Sequence, residues 1–149
     1  MDHPPFGVAD VNAAVADLFA GNPNVCIELS ATHAVVSYTP VAQNIRPGGF
    51  ISGPTQFAAC DSALWFLTWA AIGRIEPMAL TSELSIRYLR PAAGSLLYCR
   101  ADLESAGRRS VVGTCRVWVD DRRDKPSATA QGTYFLPHTP TPTPPAGTA

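Results

Sequence analysis

The sequence predicts an α+β domain in which an antiparallel β-sheet wraps around one long central apolar helix. Three observations carry that prediction. Residues 57–72 contain a single charged side chain, Asp61, which is also the only charge between Arg46 and Arg74. The rest of that helical wheel is apolar on nearly every side, and a helix apolar all round belongs inside a fold. Four long stretches follow it, joined by connections short enough to make neighbouring strands antiparallel.

The elements can be justified in chain order. Residues 11–19 have helical apolar spacing, and Gly21 with Pro23 stops them. Residues 25–30 and 34–39 are rich in β-branched side chains and read as a hairpin turning near Thr32-His33. Residues 40–52, centred on Pro47-Gly48-Gly49, read as an extended loop. The central helix then covers about 54–72. Gly53 is its cap, Pro54 suits a first helical position where a missing N–H costs nothing, and Gly73 closes it.

Beyond Glu76 the period changes. Leu80, Ser82, Leu84, Ile86 and Tyr88 alternate with Thr81, Glu83, Ser85, Arg87 and Leu89, a strand with one apolar face that ends at Pro91. Residues 95–104 and 110–120 form two more strands, joined through Ser105-Ala106-Gly107-Arg108-Arg109, and residues 127–136 form the last. The whole reads as one domain over residues 1–136. Residues 137–149 are Pro/Thr-rich and read as an unfolded or polyproline-like tail. One sheet face cannot cover a helix apolar on all sides, so burial against a second copy of the chain is a physical reason to dimerise.

Composition excludes several classes. A net charge of −1 with 15% charged residues leaves no polybasic surface for nucleic acid or an anionic membrane. The apolar helix is shorter than about 20 residues and carries Asp61, which argues for a buried soluble helix and against a membrane span. The first residues have neither the basic start nor the apolar core of a signal peptide. Cys26, Cys60, Cys99 and Cys115 lie far apart, without CxxC or Cys/His spacing, and His3, His33 and His138 are scattered. We therefore expect no metal and no cofactor, four cysteines acting as small buried hydrophobes, and a reducing cytoplasmic compartment.

Asp61 is the residue that needs explaining. A carboxylate inside an apolar helix loses several kcal/mol of hydration unless partners or a pKa shift relieve it. It is either a structural Asp satisfied by backbone groups or an Arg, or a functional acid, since desolvated carboxylates in clefts are typical of active sites.

Ser52-Gly53-Pro54, six further residues and then Asp61 resemble the start of the central helix in hotdog-fold thioesterases. The match is to the PaaI-like (phenylacetyl-CoA thioesterase type) branch, whose usual pattern is His-Gly-Gly, six residues, Asp. Ser85-Ile86-Arg87-Tyr88-Leu89-Arg90-Pro91, Gly107-Arg108-Arg109 and Ala130-Gln131-Gly132-Thr133-Tyr134 resemble later landmarks of the branch, so the likeness covers roughly residues 25–136. It departs where Ser52 replaces the histidine, where Pro54 replaces the second glycine, and where Arg46 stands in a loop that often carries Asn.

The resemblance implies an activity: hydrolysis of an acyl-CoA thioester, coenzyme A entering only as part of the substrate. Asp61 would be the general base on water or a nucleophile, and the Gly53 N–H an oxyanion hole. A hydroxyl from Thr81 or Ser82 would orient water. Ser52, Pro54, Phe57, Leu64 and Trp65 would line the acyl site, while Arg90, Arg108, Arg109 and Arg46 would meet phosphate or carboxylate groups. Physics supports a helix N-terminus for the oxyanion, because its N–H groups are unpaired and its dipole is positive.

Gly53 and Asp61 are eight positions apart, roughly 12 Å along one helix, so they cannot both touch one carbonyl. Two antiparallel helices about a two-fold axis could bring Gly53 of one chain opposite Asp61 of the other. The expected assembly is thus a homodimer with shared sites, and dimers pairing into tetramers. Two other functions compete. A hydratase needs an Asp/His pair, and no histidine lies in the loop or the central helix. A non-catalytic acyl-CoA binding or sensing protein would keep the fold without the chemistry.

Overall fold

A computed structural model describes residues 3–138; the expected tail lies almost wholly outside them. The elements are α1 (Val8–Leu18), β1 (Asn24–Leu29), β2 (His33–Tyr38), a 3₁₀ turn at Ala42–Asn44, β3 (Ile45–Arg46), β4 (Phe50–Ile51), α2 (Gly53–Ile72), β5 (Leu80–Tyr88), β6 (Leu97–Ala106), β7 (Ser110–Val119) and β8 (Ala128–Phe135). Six strands form one antiparallel sheet in the order β1-β2-β6-β7-β8-β5. Helix α2 packs across its concave side against β2, β6, β7 and β8. The expected architecture, a sheet wrapped around a central apolar helix, is the one observed.

The sequence signals explain why α2 lies where it does. Ser52, not Gly53 as expected, is the N-cap, because its Oγ accepts the Thr55 N–H at 3.2 Å; Gly53 is then the first helical residue, followed by Pro54. Gly73 adopts the left-handed conformation (φ +76°) that ends the helix and satisfies its last carbonyls. Phe66, Leu67 and Trp69 are fully buried. Leu64 reaches the sheet at a register pair of glycines, Gly113 opposite Gly132. A Cβ at Gly132 would stand 2.6 Å from Leu64 Cδ1, and one at Gly113 would stand 2.8 Å from Leu64 Cδ2. The glycines are there to let the helix approach.

Four expectations shift. Helix α1 starts at Val8, three residues earlier than its apolar spacing suggests, because the Asp10 carboxylate accepts the Gly7 N–H at 2.8 Å and closes the first turn. Strand β6 starts at Leu97, since the Ser95 and Leu96 N–H groups are taken by the Asp120 carboxylate. The loop at 40–52 holds the small β3/β4 hairpin, turned by Gly48 (φ +94°) and Gly49 (φ +83°). Strand β5 carries a β-bulge, described below. Among the described residues no helix is long and apolar enough to cross a membrane.

All four cysteines are free and buried. Cys60 of α2, Cys99 of β6 and Cys115 of β7 come together. Hydrogen bonds from the Cys115 and Cys99 thiols pull Cys60 down to about 5, while burial holds Cys99 well above the ordinary thiol range.

Candidate active site

Asp61 lies in the third turn of α2, half-buried, beneath the start of β5 and the end of β8. Its Oδ1 accepts two hydrogen bonds, from Thr81 Oγ1 at 2.7 Å and from the Tyr134 hydroxyl at 2.6 Å. The Tyr134 hydroxyl is also 2.9 Å from the Asp61 backbone carbonyl. Oδ2 accepts nothing, and no Lys, Arg or His forms an ion pair with the carboxylate, among the described residues. The carboxylate is therefore steadied by hydroxyls on one oxygen and open on the other. That geometry leaves Oδ2 free to meet a water or a ligand.

The pairing of β5 with β8 explains which hydroxyl arrives. Thr81 is opposite Tyr134 and Glu83 is opposite Thr133, so Ser82 is the extra residue of a bulge. Past the bulge Leu84, Ile86 and Tyr88 oppose Gly132, Ala130 and Ala128, the inward-facing residues of β8. An unbroken strand could send either Thr81 or Leu84 inward, but not both. The bulge allows both. Alternation alone had put Leu80 and Ser82 on the apolar face; in the structure both are exposed, and Leu80 is 65% accessible.

Tyr134 had no predicted role. It is buried, and both burial and the Asp61 carboxylate beside it raise its pKa, so the phenol keeps its proton and stays a donor. Its only sequence signal is the inward alternation of Ala128, Ala130, Gly132 and Tyr134, which marks it as core.

At the N-terminus of the helix the Gly53 N–H has no acceptor among the described residues. Pro54 next to it carries no N–H at all. The Tyr88 hydroxyl donates to the Gly53 carbonyl at 2.8 Å and fixes this turn against β5. A cavity of about 470 Å³ opens here, lined by Phe50, Gly53, Tyr88 and Arg90.

The comparisons with known proteins now bear on this geometry. A family model described as the thioesterase superfamily matches residues 48–125, more than half of the chain. The chain belongs to the thioesterase superfamily. A Silicibacter sp. TM1040 protein assigned as a thioesterase is 26% identical, with a TM-score of 0.79 over 90% of this chain and 94% of that one. The Escherichia coli PaaI protein of the phenylacetic acid degradation operon is 22% identical, with a TM-score of 0.68 over 87% and 88%. A Streptococcus mutans protein whose structure holds acetyl-CoA is 20% identical, with a TM-score of 0.67 over 79% and 91%. The last two speak for the fold alone, which is the hotdog fold. No curated protein sequence matches the chain.

Within this superfamily member the other predicted residues separate into groups. Arg108 and Arg109 are exposed at the β6–β7 turn and line a cavity of about 640 Å³ with Phe135 and His138, on the same sheet end as Asp61. Arg90 is exposed at the opposite end, beside Gly53. Thr81 and Tyr88 are seven residues apart on β5, so the two ends are separated by about 23 Å. Arg46 is exposed in the β3/β4 hairpin without an ion pair among the described residues. Phe57 is 38% exposed on the outer face of α2. Leu64 is core, and Trp65 packs among Phe19, Phe66 and Trp69. Ser52 is buried, and its hydroxyl serves the helix cap and Thr55 Oγ1 at 2.6 Å.

Proposed function

We propose that the chain is a PaaI-like acyl-CoA thioesterase, acting as a homodimer with two shared sites: water and an acyl-CoA give a carboxylic acid and coenzyme A. The observation that carries the reading is the Asp61 carboxylate, held at Oδ1 by Thr81 and Tyr134 and open at Oδ2. Oδ2 takes a proton from water as it attacks the thioester carbonyl; the carbon–sulfur bond breaks and the thiolate leaves with that proton. Alternatively Oδ2 attacks the carbonyl itself, the carbon–sulfur bond breaks to leave an anhydride, and water hydrolyses the anhydride, freeing the acid and Asp61 and supplying the proton for the thiolate.

The negative charge that develops on the carbonyl oxygen needs a donor, and the unpaired Gly53 N–H at a helix N-terminus supplies one. It must come from a second chain, given the roughly 12 Å between the two positions along α2. Strand β5 favours such a partner. It is a sheet edge, and Leu80, Tyr88, Leu89 and Phe57 leave apolar surface exposed along it. A two-fold axis at that edge brings the Gly53 and Arg90 end of one chain to the Asp61, Arg108 and Arg109 end of its partner. One shared site then has a base, an oxyanion donor and arginines on both flanks for the coenzyme A phosphates. Pairing of dimers into tetramers, and residence in a reducing cytoplasm that keeps the cysteines free, belong to the same reading.

A non-catalytic acyl-CoA sensor is the second reading, and Ser52 is what favours it. Its hydroxyl is engaged in the cap, so no side-chain donor stands in for the imidazole of the branch. A thiol-release assay across short, long and aromatic acyl-CoAs separates the two. Turnover that disappears in Asp61→Asn supports the hydrolase. Saturable coenzyme A binding without turnover in the unaltered protein supports the sensor and overturns the hydrolase.

A further inference from the structure

The three cysteines behind Asp61 share no sequence motif, yet their sulfur atoms all lie within 4.8 Å of one another. Cys99 Sγ donates toward Cys60 Sγ at 3.8 Å. A triangle with sides between those lengths has its centre about 2.2–2.8 Å from each sulfur, a range that includes the usual metal–thiolate bond of about 2.3 Å. An ion therefore fits between the sulfurs with little movement of the chain.

We propose that Cys60, Cys99 and Cys115 form a three-coordinate site for a soft monovalent cation, Cu(I). Sulfur ligands select soft ions. Zn(II) fits less well, because its structural sites take four ligands and no His, Asp or Glu joins the three sulfurs among the described residues. Each of the three cysteines coordinates as the thiolate: Cu(I) binding breaks the three S–H bonds, forms three copper–sulfur bonds and sends the three protons to solvent.

There is also a way in. Cys115, 4% exposed, is the least buried of the three. Its Sγ faces α2, 3.8 Å from the Cys60 carbonyl, while its main chain with that of its register partner Ala130 borders an open cup of about 450 Å³ on the outer face of the sheet. An ion would reach the sulfur triangle by local opening between β7 and β8.

The test is an anaerobic titration of the full chain with Cu(I) against a chromophoric Cu(I) chelator, with X-ray absorption on the loaded protein. We expect one Cu(I) per chain, three sulfur neighbours, three protons released, and a rise in Tm because the ion binds the native state. Cys60→Ala should abolish binding, and Cys99→Ala and Cys115→Ala should each weaken it by about tenfold or more. Cys26→Ala should leave it unchanged. Oxygen or nitrogen neighbours, a Tm that falls on loading, or equal affinity in Cys60→Ala and the unaltered chain would each overturn the proposal. The absorption measurement uses the native sequence and decides the matter even if an alanine variant does not fold.

Discussion

The two ends of the α2–β5 layer differ in what they offer the proposed reaction. At one end are an unpaired N–H at Gly53, the Tyr88 hydroxyl that fixes it, and Arg90, with no carboxylate lining the cavity. At the other end Asp61 is steadied by Thr81 and Tyr134, with Arg108 and Arg109 on the same side of the sheet. In the proposed reaction neither end acts alone, because roughly 12 Å of helix separates Gly53 from Asp61 in one chain. Under the proposed function the difference means that one chain carries half of each site, and that a two-fold axis along β5 would complete it.

Changes at the Asp61 end should hit turnover hardest. Asp61→Ala removes the base, a loss of about 10²–10⁴ in kcat by thiol release. At the other end Gly53→Pro deletes the N–H and sets a Cβ 3.0 Å from the Tyr88 hydroxyl, which must give way slightly; it should cost at least about 10²–10³ in kcat, the effect of one oxyanion donor. The supports come next. Tyr134→Phe and Thr81→Val each remove a hydrogen bond to a charged group, about 1.5–3 kcal/mol, so kcat should fall by about one to two orders of magnitude with KM little changed. Ser82→Ala, on the bulge, should leave kcat as it was; an equal loss there would break the distinction between the two hydroxyls.

Stability should respond differently at the two ends. Ser52→Ala loses a cap, about 1 kcal/mol in denaturant unfolding, whatever it does to catalysis. Tyr134 adds a pH effect. Its pKa lies above the ordinary 10.0 in the folded chain, so its contribution is complete below pH 10 and is lost as pH rises beyond it. Unfolding followed above pH 10 should show that decline, and Tyr134→Phe should flatten it.

The sequence carried the helix and most strand limits because their signals are local. Pro54 and Gly73 bracket α2, and one isolated charge marks Asp61. What stayed hidden depends on pairing. Only the register of β5 against β8 reveals the bulge that sends Thr81 inward and leaves Ser82 out. Tyr134 was unreadable because an inward aromatic on a strand looks like core until its hydroxyl is seen 2.6 Å from a carboxylate. Leu64, expected beside substrate, is engaged instead with two glycines whose role is close approach, which sequence spacing cannot show. The three converging cysteines were invisible for the same reason, being brought together by topology alone.

Mixed dimers test the central claim most directly. Gly53→Pro and Asp61→Ala chains, each inactive alone, are unfolded together, refolded and assayed for thiol release. If the site is shared across a two-fold axis, each mixed dimer holds one intact site, and statistical pairing should restore about a quarter of the activity of the unaltered protein. Mixed dimers that form, as shown by differently tagged chains co-purifying, yet remain inactive would contradict the shared site.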